Sequence, residues 1–148
     1  MAIGLAGCAP GSPAPAPMLE RSAAGLEQVP LTIRSGSQIH RFTVEIARSP
    51  QEQEIGLMNR QSLSPDRGMI FPYDPPQPVA FWMKNTLIPL DMIFIRADGS
   101  IARIAANAVP LSLEPVPSAE PVAVVLEIGG GRSAELGIYA GDRVDWPH

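Results

Sequence analysis

The sequence predicts a mainly β domain: a compact β-sandwich or partly closed barrel of short, mostly antiparallel strands with one or two short helices. Three observations carry this expectation. Apolar and polar residues alternate over several short runs, the period of a half-buried strand. Turn residues recur between the runs, with 13 glycines and 17 prolines among 148 residues. Helix signals are confined to a capping motif at Ser49 and a short stretch near Ser133.

Residues 1–28 read as a leader and linker, and residues 29–148 as a single domain. The only cysteine is Cys8, which excludes an internal disulfide and a cysteine-based zinc site. Leu5-Ala6-Gly7-Cys8 resembles a bacterial lipobox, in which the cysteine is acylated and becomes the mature N-terminus. Signal peptides also carry a basic segment and a longer apolar core. Met1 to Gly7 contain neither, so the signal reads as truncated, and a chance match in an Ala/Gly-rich leader is the competing reading. Gly11 to Pro17 alternates proline with small residues, the composition of an extended, solvated tether. The expectation is an exported periplasmic or cell-envelope lipoprotein that meets the membrane only through a lipid anchor at Cys8.

Within the domain, Leu31 and Ile33 alternate before a turn at Arg34 to Ser37, and Phe42, Val44 and Ile46 alternate after it. This predicts a β-hairpin. Ser49-Pro50-Gln51-Glu52 is a capping box with proline at the first helical position. A helix is expected from there to about Met58 or Asn59, with Ile55 and Met58 facing inward. Ser64 to Gly68 forms a turn before Met69-Ile70-Phe71, and Pro72 to Pro78 is expected as a loop. Val79 to Met83 and Leu90 to Ile95 are strand-like. Asp98-Gly99 marks a hairpin turn into Ile101 to Ala106. Val122 to Ile128 is apolar on both faces, the pattern of a central strand. Gly129 to Gly131 ends it, before a short helix at Ser133 to Leu136 and an edge strand near Asp142 to Trp146.

The net charge of −4 and the absence of any Lys/Arg run argue against a nucleic-acid partner. Aromatic residues make up 5% of the chain, too few for a base-stacking platform. No cofactor or metal is implied: there is no paired His/Cys spacing and no calcium loop. Met58, Met69, Met83 and Met92 offer soft thioethers for Cu(I), but methionines in apolar segments serve chiefly as core filler.

The polar island Lys84-Asn85-Thr86, with Asp91 beyond it, interrupts the densest apolar stretch of the chain. Buried groups of this kind must pair or hydrogen-bond. Lys84 has the reach to pair with Asp91 across the turn, and Asn85 and Thr86 can satisfy backbone groups there. Glu45 and Glu127 also stand in apolar strands that could converge on Lys84. One reading is a cleft for a small polar or sugar-like ligand or an envelope protein. Trp82 walls it, and Arg60, Lys84, Asn85, Thr86, Asp91 and Glu127 supply polar contacts. This reading assigns no catalytic residue. A second is an envelope hydrolase using Glu45, Asp91 or Glu127 as acid and base. A third is a structural module whose charged cluster only fixes the fold.

The order of segments resembles domain-of-unknown-function family 192, a family of small prokaryotic domains. The matching residues are Val44 to Ala47, Gly56 to Arg60, Gly68 to Phe71, Phe81 to Thr86, Pro89 to Asp91 with Phe94, Val125 to Glu127 with Gly131, and Gly141-Asp142. They span residues 41–146, and the polar island lies inside the most distinctive block. The resemblance implies a compact β-rich fold and frequent export to the envelope, with no established activity.

The leader makes a prediction of its own. When the protein is made in a bacterium with its native upstream sequence, mass spectrometry of the mature form should find an acylated Cys8 as the first residue. An unmodified Met1 terminus would refute the lipobox reading.

Overall fold

The structure, a computed structural model, describes residues 19–148. The leader and most of the linker, including Cys8, lie outside the described residues.

Nine strands and two short helices follow in order. They are β1 (Gln28–Ser35), β2 (Gln38–Ile46), α1 (Pro50–Ile55), β3 (Arg67–Gln77), β4 (Ala80–Phe81), β5 (Leu90–Ile95), β6 (Ile101–Ala108), β7 (Val116–Pro117), β8 (Val122–Gly129), α2 (Arg132–Leu136) and β9 (Arg143–Asp145). Seven strands form one mixed sheet in the order β6-β5-β8-β3-β2-β1-β9, and β4 pairs with β7 in a small second sheet. The β2–β3 pair is parallel, because α1 crosses between the two strands; every other pair is antiparallel.

The large sheet curls until its two ends touch. Ser100, at the start of β6, bridges Arg143 of β9. Val144 N donates to Gly99 O at 2.8 Å, and Ile101 N donates to Asp142 O at 2.8 Å. The closure is local, so the fold is a partly closed, sandwich-like β structure.

Side-chain alternation divides the interior in two. Leu31, Ile33, Val44, Ile70, Ile93, Leu126 and Ile128 pack on one face of the sheet, with Ile138 after α2 closing that side. Met69, Phe71, Met92, Phe94 and Val125 pack on the other, with Leu57 and Met83 from the connecting segments. Strand β8 lies between β3 and β5 and supplies both faces, as its two-sided apolar pattern requires.

Two expectations need correction. Helix α1 begins as its capping box dictates, with Ser49 Oγ accepting from Glu52 N and Glu52 Oε1 accepting from Ser49 N. It ends at Ile55, because Gly56 turns the chain with φ of 49°. Ile55 is therefore 51% exposed rather than inward-facing, and Leu57 is buried in its place. The proline-rich segment after Pro72 is not a loop. It continues β3 to Gln77, with a break in register against β8 between Pro72 and Gln77. Strand β2 pairs with β3 only as far as Ile70, so the prolines withhold no N–H from a second partner.

Candidate functional site

Asp91 begins with strand parity. On β5, Asp91 shares a face with Ile93 and Ile95, whereas Met92 and Phe94 face the opposite core. Its carboxylate is fully buried. Oδ1 accepts from Asn107 N and Gly131 N, each at 2.9 Å, and Oδ2 accepts from Ser133 N at 2.9 Å. Three backbone donors thus satisfy Asp91, two of them at the start of α2. The expected Lys84–Asp91 pair does not form. Lys84 is exposed and stands over Trp82, its Nζ 5.1 Å from the ring centre.

The other predicted residues separate in the same way. Glu45 is nearly buried on β2 and accepts a two-point contact from Arg60: Nη1 to Oε2 at 2.7 Å and Nη2 to Oε1 at 3.2 Å. The pair lines a shallow polar depression with Glu20, Arg21, Thr43 and Arg67. Asn85 takes φ of 52°, which asparagine tolerates better than most residues, and its carbonyl accepts from Asn59 N at 2.8 Å. Thr86 is buried, and its hydroxyl donates to Lys84 O at 3.1 Å. These bonds shape the turn, Thr86 through its side chain and Asn85 through its backbone alone.

Glu127 stands apart. It faces the core opposite Asp91, in register between Met69 of β3 and Met92 of β5. It is 6% exposed and opens onto a cleft of about 350 Å³. Gln53, Gly56 and Met58 form one wall, Phe71 and Tyr73 another, and Phe81, Trp82, Lys84 and Thr86 the rim. Phe71 and Phe81 meet edge to face with centres 4.9 Å apart. Among the described residues, no side chain forms a hydrogen bond or ion pair with the Glu127 carboxyl. Burial alone pushes this carboxyl up to about 8. Burial, followed by the nearby charge of Glu127, pushes the Tyr73 hydroxyl up to about 12.

The structure therefore brings Trp82, Lys84, Thr86 and Glu127 to one cleft. Arg60, Asn85 and Asp91 do not line it. Sequence reasoning missed Tyr73, Phe81, Gln53 and Met58 as lining residues. Tyr73 keeps the alternation of Met69 and Phe71 along β3, a signal hidden by the surrounding prolines. The methionines named for Cu(I) do not gather at the cleft: Met69, Met83 and Met92 are core residues, and only Met58 lines it.

The profile of the DUF192 family, described as Uncharacterized ACR, matches residues 31–146. The chain belongs to the DUF192 family. It is similar to a protein of unknown function from Novosphingobium aromaticivorans DSM 12444 whose crystal structure is solved. The two are 47% identical, with a TM-score of 0.85 over 88% of this chain and 94% of that one. It is also similar to a solved Sinorhizobium meliloti 1021 protein, provisionally described as a transcription regulator. That pair is 43% identical, with a TM-score of 0.80 over 82% of this chain and 95% of the other. No curated protein matches the sequence.

Two measurements separate the carboxylates by role. Asp91→Ala should strand three backbone N–H groups and cost about 3–5 kcal/mol in urea unfolding. Asp91→Asn keeps Oδ1 but turns a donor toward Ser133 N, and should cost about 2 kcal/mol. Unchanged unfolding midpoints would show that the carboxylate does not hold the fold. Glu127 has the opposite sign. Its folded pKa lies above the unfolded value, so the folded state binds more protons between pH 4.5 and about 8. Stability falls as pH rises through that window. Glu127→Gln should melt well above wild type at pH 8, with the gap closing toward pH 4.5. A gap that is constant with pH would contradict the raised carboxyl.

Proposed function

We propose that this domain binds a small polar or sugar-like ligand in the Glu127 cleft, without turnover, as a tethered domain of the bacterial envelope. The observation that carries the reading is a nearly buried carboxyl with no partner among the described residues, opening into a cleft with aromatic walls. A folded chain gains nothing from such a group, whereas a ligand-binding site needs one. The volume of about 350 Å³ suits a molecule of monosaccharide size. The Trp82 ring, 47% exposed at the rim, offers a face for stacking. The lipobox at Cys8 and the proline-rich tether support the envelope location.

Carboxylate-dependent glycoside hydrolysis needs a second carboxyl positioned across the bond from the first. Of the carboxylates expected for that role, Asp91 lies on the opposite face of the sheet and Glu45 is held by Arg60, and the other carboxylate at the cleft, Glu54, is exposed on α1. This arrangement favours binding over hydrolysis. Transcription regulation, the description given to the Sinorhizobium protein, gains no support from this chain. Its described helices have six and five residues, and its net charge is −4.

A protein partner is the second reading, and one observation favours it. The loops carrying Trp82 and Leu87 and carrying Leu111 and Leu113 are joined by Met83 N to Ser112 O at 2.9 Å and Leu111 N to Thr86 O at 3.1 Å. All four side chains are exposed, forming an apolar rim beside the cleft.

NMR titration with a panel of monosaccharides and small polar metabolites tests the primary reading. Shifts should concentrate at Phe81, Trp82, Thr86 and Glu127, and Trp82→Ala should weaken binding about tenfold. Shifts confined to the outer leucines, or none with any compound, would count against it.

A further inference from the structure

The donors and acceptors around the cleft narrow the chemistry of its ligand. Gln53 Nε2 donates to Ala47 O at 3.1 Å and to Pro72 O at 3.0 Å, which uses both of its N–H groups. Thr86 spends its hydroxyl on Lys84 O. The Lys84 ammonium sits at the rim over Trp82. Inside, the Glu127 carboxyl has no donor directed at it from the described residues, and its neighbours in register are the thioethers Met69 and Met92. Phe71, Phe81 and Tyr73 add aromatic faces and edges. The interior is thus rich in acceptors and π faces, and its amide donors are already engaged.

We propose that the cleft takes an organic primary ammonium ion, with Glu127 as its counter-charge and the aromatic rings as its walls. This inference rests on the reading of the cleft as a binding site and adds the class of ligand. Besides the Tyr73 hydroxyl, an ammonium group brings three donors to a carboxyl that accepts none from the described residues, and it is attracted both by a carboxylate and by ring faces. The charged and titratable groups around the cleft are Glu127 on β8, Tyr73 on β3, Glu54 on α1 and Lys84 after β4. Lys84 is the only lysine in the chain, and its side chain is exposed at the rim, over the Trp82 ring.

Binding exchanges a proton. In the empty cleft, burial holds the Glu127 carboxyl protonated around neutral pH, with its pKa pushed up to about 8. The ammonium pairs with the carboxylate, and the carboxyl proton leaves to solvent. The ligand keeps all of its own protons. At pH 7 the release is about one proton per ligand bound.

The experiment uses the full chain and two probes, n-butylamine and the neutral methyl glucoside. NMR titrations at pH 6 and pH 8 are combined with calorimetry in buffers of different ionisation heat. The butylammonium affinity should rise about 50-fold from pH 6 to pH 8, as expected for binding to the ionised form alone. Glu127→Gln should abolish that rise. Butylammonium binding Glu127→Gln as tightly as wild type at pH 8 overturns the ammonium assignment, and equal wild-type affinity at the two pH values, or no proton release, overturns the proton exchange. Methyl glucoside moving the cleft resonances while butylamine does not overturns the assignment and leaves the binding reading standing. Neither probe moving them overturns both.

Discussion

The Asp91 carboxylate ties three parts of the chain together. It sits at the start of β5 and collects backbone N–H groups from the end of β6 and from the turn that leads from β8 into α2. Those donors would otherwise be buried without partners, a cost of about 1–3 kcal/mol each. The turn they belong to is tight. A Cβ on Gly130 would lie 2.8 Å from Pro89 Cβ and 2.9 Å from Asn107 Oδ1, so only glycine lets the chain pass. From there α2 leads to Ile138, which closes one core, and on to β9, which meets β6. Curling of the sheet into a partly closed structure therefore depends on this junction.

Asp91 and Glu127 show how two buried carboxylates on neighbouring strands differ in physical role. Asp91 opposes Ile128, and Glu127 opposes Met92, one position along the same ladder. The one-residue offset sends their side chains to opposite faces. Asp91 meets three donors and stabilises the fold. Glu127 meets methionine and aromatic neighbours and carries an uncompensated desolvation cost at neutral pH. A group that weakens the fold yet stands at the base of an open cleft is what the proposed ligand would account for.

Much of the fold was legible in the sequence because its signals are local. The first hairpin, the capping box at Ser49, the Asp98-Gly99 turn, the buried strand from Val122 and the short helix after Gly131 each rest on a few adjacent residues. The parallel β2–β3 pair and the touching edges depend on contacts far apart in the chain, which periodicity does not encode. The sequence pattern overextends α1 because its apolar spacing continues past Gly56, where the helical backbone does not. The site was legible in part. Trp82, Lys84, Thr86 and Glu127, which line the cleft, stand out in the sequence because they are charged, polar and aromatic residues within apolar runs. Asp91 was placed beside Lys84 because the two are close in sequence. Its donors are backbone N–H groups of Asn107, Gly131 and Ser133, and a one-letter sequence does not distinguish those from any other amide.

The structural carboxylate and the cleft carboxyl are nevertheless linked. Strand β8 is held along its length by β3 and β5, and Asp91 pins the chain just past its end. Glu127 lies two residues before that end, so its backbone has little freedom to move toward water. A mobile strand would let the carboxyl move out toward solvent and ionise at its ordinary pKa. The polar island thus divides its work. Lys84, Thr86 and the neighbouring Trp82 border the cleft, while Asp91 fixes the frame that holds Glu127 at its base.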